Sequence, residues 1–166
     1  MSSRVSRSSL LRRRERAYAP RVSSQVVTIV FVDVERSTEL FTSVGDTAGV
    51  AAVHIALAAV RERVEPYGGR EVKALGDGLM IEFSGPREAV MFAIAAQRGT
   101  VGAPLQLRIG INTGEVIGSG ADPMGEAVNA ASRLAGKGAG GEVVVSDVVR
   151  QLGGSMPGVP FSDRGR

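Results

Sequence analysis

From residue 25 the pattern of apolar and polar positions opens with QVVTIVFVDV, a run of β-branched and aromatic residues with little polar alternation. Such a run reads as a buried strand, and it ends near Asp33. ERSTEL then begins a helix, with Ser37 or Thr38 available as its cap, and Gly45-Asp46 interrupts it. Beyond that break, TAGVAAVHIALAAVRERVEPYGG carries an alanine-rich apolar face at helical spacing as far as a Gly-Gly stop. Two alternating runs at 69–74 and 78–84 flank Gly76-Asp77-Gly78 and predict a tight hairpin. PREAVMFAIAAQRG predicts a second helix with Pro86 at its start. LQLRIGINTGEVIGSG reads as two short strands around Asn112-Thr113-Gly114. A third helix, GEAVNAASRLAGKG, ends in glycine; EVVVS supplies one more strand and DVVRQLGG a short helix. The order strand, helix, two strands, helix, two strands, helix, strand predicts an α+β fold. Its sheet is antiparallel-rich and covered by helices, close to the ferredoxin-like pattern.

With 166 residues, 43% of them hydrophobic, the chain has material for one domain with a real core and too little for two comfortable ones. It has no cysteine, which excludes a disulfide framework and thiolate metal sites. His54 is the single histidine. It sits in the long helix without an evident partner and reads as a surface or packing residue. A metal here therefore needs carboxylate ligands, which favour hard cations such as Mg²⁺ or Mn²⁺. The net charge of +3 is concentrated in RVSRSSLLRRRERAYAPR, residues 4–21. We read residues 1–24 as a solvated arginine-rich leader rather than a nucleic-acid or lipid-binding arm, and residues 25–166 as the domain. The sequence contains neither a secretory apolar stretch nor 18 consecutive apolar residues, so the expectation is a cytoplasmic protein with no membrane segment.

Asp33 ends the first strand and Asp77 occupies the hairpin turn, so the two carboxylates meet if that strand lies beside the hairpin. Two acids aimed at one place repel unless a cation sits between them. Taken singly, each is also an ordinary turn or strand-end residue. The helix start after Asp33 would offer backbone N–H groups to a polyphosphate held by the same cation. Arg108, beside LRIGI, adds a fixed charge or is simply a snorkelling strand arginine. Asn129 and Arg133 are four residues apart and share a helical face, which an exposed helix also produces by chance. Asp122 precedes Pro123 in a glycine-flanked loop, where a turn aspartate is equally at home. Lys73 stands among apolar residues just before the hairpin turn.

VTIVFVDVERST, VKALGDGLMIEF, LRIGINTGEV and DPMGEAVNAASRL stand in the order and spacing of the class III nucleotidyl cyclase catalytic domain. Over residues 26–166 the chain resembles a bacterial adenylate cyclase homology domain. The resemblance implies the class III cyclase fold and assigns roles by position. Asp33 and Asp77 match the pair that binds two divalent cations, Mg²⁺ or Mn²⁺. Lys73 and Asp122 match the base-selecting pair, suited to adenine because an ammonium donates to N1 and a carboxylate accepts from the 6-amino group. Asn129 and Arg133 match residues that position the ribose and stabilise the transferring phosphoryl group, and Arg108 matches a phosphate-binding arginine. The implied reaction converts ATP to 3′,5′-cyclic AMP and pyrophosphate in a homodimer. Each site would take Asp33, Asp77 and Arg108 from one chain and Lys73, Asp122, Asn129 and Arg133 from the other. Family members continue past the equivalent of Arg166 with a triphosphate-contacting lysine and a final strand, so a shortened domain is expected. The alternative expectation is a cyclase-like domain that dimerises or binds nucleotide without turnover.

Overall fold

The computed structural model describes residues 23–118 and 122–165. The leader expected at 1–24 lies outside them except for its last two positions, and Ser24 already belongs to the first strand. The elements are β1 (Ser24–Val34), α1 (Ser37–Val44), α2 (Asp46–Arg61), β2 (Gly69–Leu75), β3 (Gly78–Phe83), α3 (Pro86–Gly99), β4 (Leu107–Ile117), α4 (Glu126–Lys137), β5 (Val143–Val145) and α5 (Asp147–Gly153). A 3₁₀ turn, Glu65–Tyr67, links α2 to β2.

The five strands form one sheet in the order β2-β3-β1-β4-β5. β1 is antiparallel to both of its neighbours and β2 to β3, while β5 joins β4 in parallel. The antiparallel-rich α+β expectation therefore holds, with the short β5 edge as the parallel exception. Because side chains alternate across a strand, β1 serves two layers. Val30, Val32 and Val34 join Leu79, Ile81 and Phe83 of β3 and Leu107, Ile109 and Ile111 of β4 in the main core, under α2 and α3. Val27 and Ile29 face the other way, into a smaller cluster with Met80, Val116, Ala127 and Ala131. The continuous apolar run in β1 is thus explained by burial on both faces.

The opposite face is covered by α4. Gly110 of β4 permits this, because a Cβ there would run into backbone atoms of Ala131 and Ala135. We expect Gly110→Val to push α4 off the sheet and cost about 2–4 kcal/mol, the range of strong overpacking. A thermal unfolding curve checks this, and an unshifted midpoint would show that α4 tolerates displacement.

Two local expectations are corrected. Asn112-Thr113-Gly114 does not divide two strands, since β4 runs unbroken from Leu107 to Ile117. Pairing with β1 overrides turn propensity here: Thr113 Oγ1 lies 2.8 Å from Thr28 Oγ1 in the core, and Asn112 Nδ2 donates to the Ala127 carbonyl at 3.1 Å. Nor is α1 capped by Ser37 or Thr38. Arg36 occupies the cap position, without a side-chain cap bond.

Candidate active site

The central position of β1 determines the first cluster. Asp33 lies opposite Gly78 of β3 on one side and opposite Arg108 of β4 on the other. The hairpin turn is tied down by Val34 N donating to Asp77 O at 3.2 Å. Gly76 adopts the φ of +63° that the turn needs, a region costly for residues with a Cβ. Gly78 lets β3 close onto β1, because a Cβ there would press on the carbonyl oxygen of Val32. Asp33 and Asp77, 44 positions apart in sequence, consequently lie close enough for the charge of Asp77 to bear on the Asp33 carboxyl. Ser37, in the first turn of α1 and buried, donates its hydroxyl to Asp77 Oδ2. The Arg108 guanidinium pairs with Asp33 through Nη2, while its Nε is buried without a hydrogen-bond partner.

Burial pushes the Asp33 carboxyl above the ordinary carboxylate range; the Arg108 bond and charge oppose this, and the charge of Asp77 adds to it. Two interacting, partly desolvated carboxylates are a chemically suitable seat for a hard divalent cation. Among the described residues no group of three or more histidine, cysteine, aspartate or glutamate side chains gathers at one place. A cation held by Asp33 and Asp77 would complete its shell with backbone, water or substrate oxygens.

The folded protein binds the Asp33 proton more tightly than the unfolded chain does, so ionising Asp33 costs stability as pH rises through its folded pKa. Without a divalent cation, Asp33→Asn should therefore unfold at a temperature no lower than the unchanged protein. Added Mn²⁺ should raise the midpoint of the unchanged protein, increasingly as pH rises through that pKa, and should leave Asp33→Asn unmoved. Equal Mn²⁺ shifts in both proteins would remove Asp33 as a ligand.

A second cluster forms on the face of the sheet that α4 covers in part. β2 carries a bulge between Glu71 and Lys73, so that Glu71 pairs with Ile81 but Lys73 pairs with Met80. The extra residue moves the two charges to opposite faces. Glu71 meets Arg61 of α2 on the helix-covered side, with N–O distances of 2.8 and 3.1 Å. Lys73 is left on the Met80 face, where its Nζ donates to Asp122 Oδ1 at 2.6 Å across 49 positions of sequence. Neither side chain has another hydrogen-bond or ion-pair partner among the described residues. The ammonium keeps two N–H donors and the carboxylate one oxygen for a ligand.

Asn129 and Arg133 lie one turn apart on α4, and both are exposed. Arg133 pairs with the Glu126 carboxylate, and its Nε donates to the Asn129 carbonyl at 3.3 Å. The structure thus brings Asp33, Asp77 and Arg108 together, joins Lys73 to Asp122, and leaves the α4 pair facing solvent. Ser37 was expected only as a cap; no sequence signal points to its bond with Asp77. The partnership of Glu126 with Arg133 had a signal, since residues seven apart share a helical face. His54 is exposed.

The family described as Adenylate and Guanylate cyclase catalytic domain matches residues 20–166. An uncharacterized protein of Mycobacterium tuberculosis is 34% identical over 128 residues, covering 76% of this chain. The chain spans only 44% of that relative's length. Among solved structures, the Adenylate/Guanylate Cyclase/Hydrolase from Silicibacter pomeroyi superposes with a TM-score of 0.76 at 27% identity, over 87% of this chain and 88% of that one. The adenylyl cyclase CyaB from P. aeruginosa gives 0.70 at 25% identity, over 80% and 82%. No helix among the described residues is long and apolar enough to cross a membrane. Sequence motifs, sheet topology and the family match converge on one conclusion: this chain belongs to the adenylate and guanylate cyclase catalytic domain family.

Proposed function

We propose that this domain is an adenylate cyclase, converting ATP to 3′,5′-cyclic AMP and pyrophosphate at sites shared between two copies of the chain. The observation that carries the choice of ATP is the Lys73–Asp122 pair, 2.6 Å apart on one face. Adenine presents an acceptor at N1 and a donor at its 6-amino group, which match an ammonium and a carboxylate. Guanine presents an N–H at N1 and a carbonyl at position 6, so the same pair meets it with inverted polarity.

In the reaction the ribose 3′-oxygen forms a bond to the α-phosphorus. The bond from that phosphorus to the bridging β-phosphate oxygen breaks, its electron pair leaves on pyrophosphate, and the 3′-hydroxyl proton passes to solvent. Asp33 and Asp77 are the residues that would hold the divalent cations, Mg²⁺ or Mn²⁺, and these when bound would lower the pKa of the 3′-hydroxyl and neutralise the triphosphate. Arg108 is suited to a phosphate oxygen because its Nε has no partner to give up. Asn129 orients the ribose. Arg133 releases Glu126 and stabilises the charge that grows on the transferring phosphoryl group.

The separate partners of the two clusters within one chain support a site shared between two copies. Lys73 points to Asp122 on its own chain, whereas Asp77, in the same hairpin, turns to Ser37. A head-to-tail pair of copies would set the cation seat of one against the base-reading pair of the other, giving two equivalent sites.

The test is cyclic nucleotide formation from ATP and from GTP with Mn²⁺ and with Mg²⁺, over a range of protein concentration. We expect ATP to be preferred and activity to rise more steeply than protein concentration. Changing Lys73→Glu together with Asp122→Ser supplies an acceptor and a donor in the places guanine needs. That exchange should lower the ATP-to-GTP ratio of kcat/KM by about a hundredfold, as expected when both base contacts are mismatched. An unchanged ratio would dismiss this pair as the base reader.

A further inference from the structure

Ser37 has an ordinary local role open to it and does not take it. A serine in the first turn of a helix commonly caps free backbone N–H groups or turns its hydroxyl back onto a helix carbonyl. Here α1 has no side-chain cap bond, and the Ser37 hydroxyl reaches across 40 positions of sequence to donate to Asp77 Oδ2. Ser37 is buried, at 7% exposure, although Arg36, Thr38 and Glu39 around it are exposed. Its hydroxyl is therefore withdrawn from water and committed to one carboxylate.

That carboxylate has little else to keep it in place. Residues 73–76, leading into the hairpin turn, are exposed. The bond from Val34 N, at 3.2 Å, fixes the Asp77 backbone but leaves its side chain free to rotate. Neighbouring carboxylates repel, and the charge of Asp77 bears on Asp33. Asp33 is restrained by the Arg108 guanidinium. Among the described residues Ser37 is the only side chain that donates to Asp77. Without that bond, repulsion would turn the Asp77 carboxylate away from Asp33 and out to water.

We propose that Ser37 is a positioning residue for the divalent-cation seat: its hydroxyl holds the Asp77 carboxylate beside Asp33, so that the seat is formed before a cation arrives. The inference rests on the reading of Asp33 and Asp77 as the cation ligands of a cyclase. Ser37 acts through Asp77 and needs no contact of its own with cation or nucleotide. A ligand already oriented by a hydrogen bond loses less freedom on binding, and the gain appears as affinity.

Three substitutions in the full chain test this: Ser37→Ala, Ser37→Val and Ser37→Thr. Valine and threonine match in shape and differ in the hydroxyl, so any disturbance of packing is common to both. Mn²⁺ binding is followed without nucleotide by the paramagnetic resonance of the free ion, with Asp33→Asn marking the part of the binding that belongs to the seat. Ser37→Ala and Ser37→Val should each bind Mn²⁺ about tenfold more weakly than the unchanged protein, the scale of losing a bond that orients a metal ligand. Ser37→Thr should bind it nearly as well as the unchanged protein. In turnover, the loss in Ser37→Ala should appear in the KM for Mn²⁺ and be largely recovered as Mn²⁺ is raised.

A serine that merely ties α1 to the hairpin would lower the thermal midpoint of Ser37→Ala by a few degrees and leave Mn²⁺ affinity alone. That result overturns the inference, as does equal Mn²⁺ affinity in the threonine and valine variants. Mn²⁺ binding as tight in Asp33→Asn as in the unchanged protein would also overturn it, because no seat would be left for Ser37 to form. The two readings fail separately. Cyclic AMP formation with one Mn²⁺ dependence in Ser37→Ala and the unchanged protein would leave the cyclase standing without this role for Ser37. Ser37-dependent Mn²⁺ binding with no cyclic nucleotide from ATP or GTP would do the reverse.

Discussion

Asp33→Ala and Asp77→Ala should each reduce cyclic AMP formation at least about a thousandfold, a loss of roughly 4 kcal/mol of transition-state stabilisation. The argument is electrostatic. The two carboxylates converge because β1 lies beside the β2–β3 hairpin, and burial with mutual repulsion raises Asp33 in the absence of a cation. Removing either acid leaves a single carboxylate, too little negative charge to hold divalent cations against water. Asp33→Ala also strips Arg108 of its partner, so Asp33→Asn should accompany it and show the same loss while folding normally. Steady-state turnover beside circular dichroism separates chemistry from folding. Either aspartate variant retaining a tenth of normal activity would show that its carboxylate is not a cation ligand.

The second large effect is a recovery. Arg133→Ala should be nearly as inactive as Asp33→Ala, since it removes the charge that meets the transferring phosphoryl group. Co-expressed, the two inactive chains should regain about a quarter of the normal activity. About half of the dimers would be mixed, and in each mixed dimer one of two sites would collect both mutations and the other neither. Mixed chains that remain silent, while size-exclusion chromatography shows them dimeric, would mean that Asp33 and Arg133 serve a site within one chain. The cation seat and the α4 pair would then not face each other across an interface, and the proposed head-to-tail arrangement would fall.

These expectations draw unevenly on sequence and structure. Helix and strand positions followed from periodicity, because burial on one stripe or one face leaves a direct imprint on residue order. The hairpin, the α1–α2 break at Gly45 and the Pro86 start of α3 all came from residues with restricted or unusual backbone freedom. Asn112-Thr113-Gly114 misled for the converse reason: those residues suit turns in isolation, but paired with β1 they suit a strand better. Asp33 and Asp77 were legible as a pair only on the assumption that β1 neighbours the hairpin. Ser37 stayed hidden because a serine at a helix start has an ordinary local role.

The sequence by itself determined the order of elements apart from β4, which it divided in two, together with the absence of cysteine and the four motifs that mark the family, since each is a property of neighbouring residues or of composition. Only the tertiary structure decided which charges share a place. The bulge in β2 sends Glu71 to Arg61 and Lys73 to Asp122. Strand register sets Asp33 between Gly78 and Arg108. Backbone pairing at both sides of Arg36 forces it into the left-handed region. Contacts between residues tens of positions apart depend on sheet order and register, which are set by the packing of the whole domain and leave no local trace in the chain.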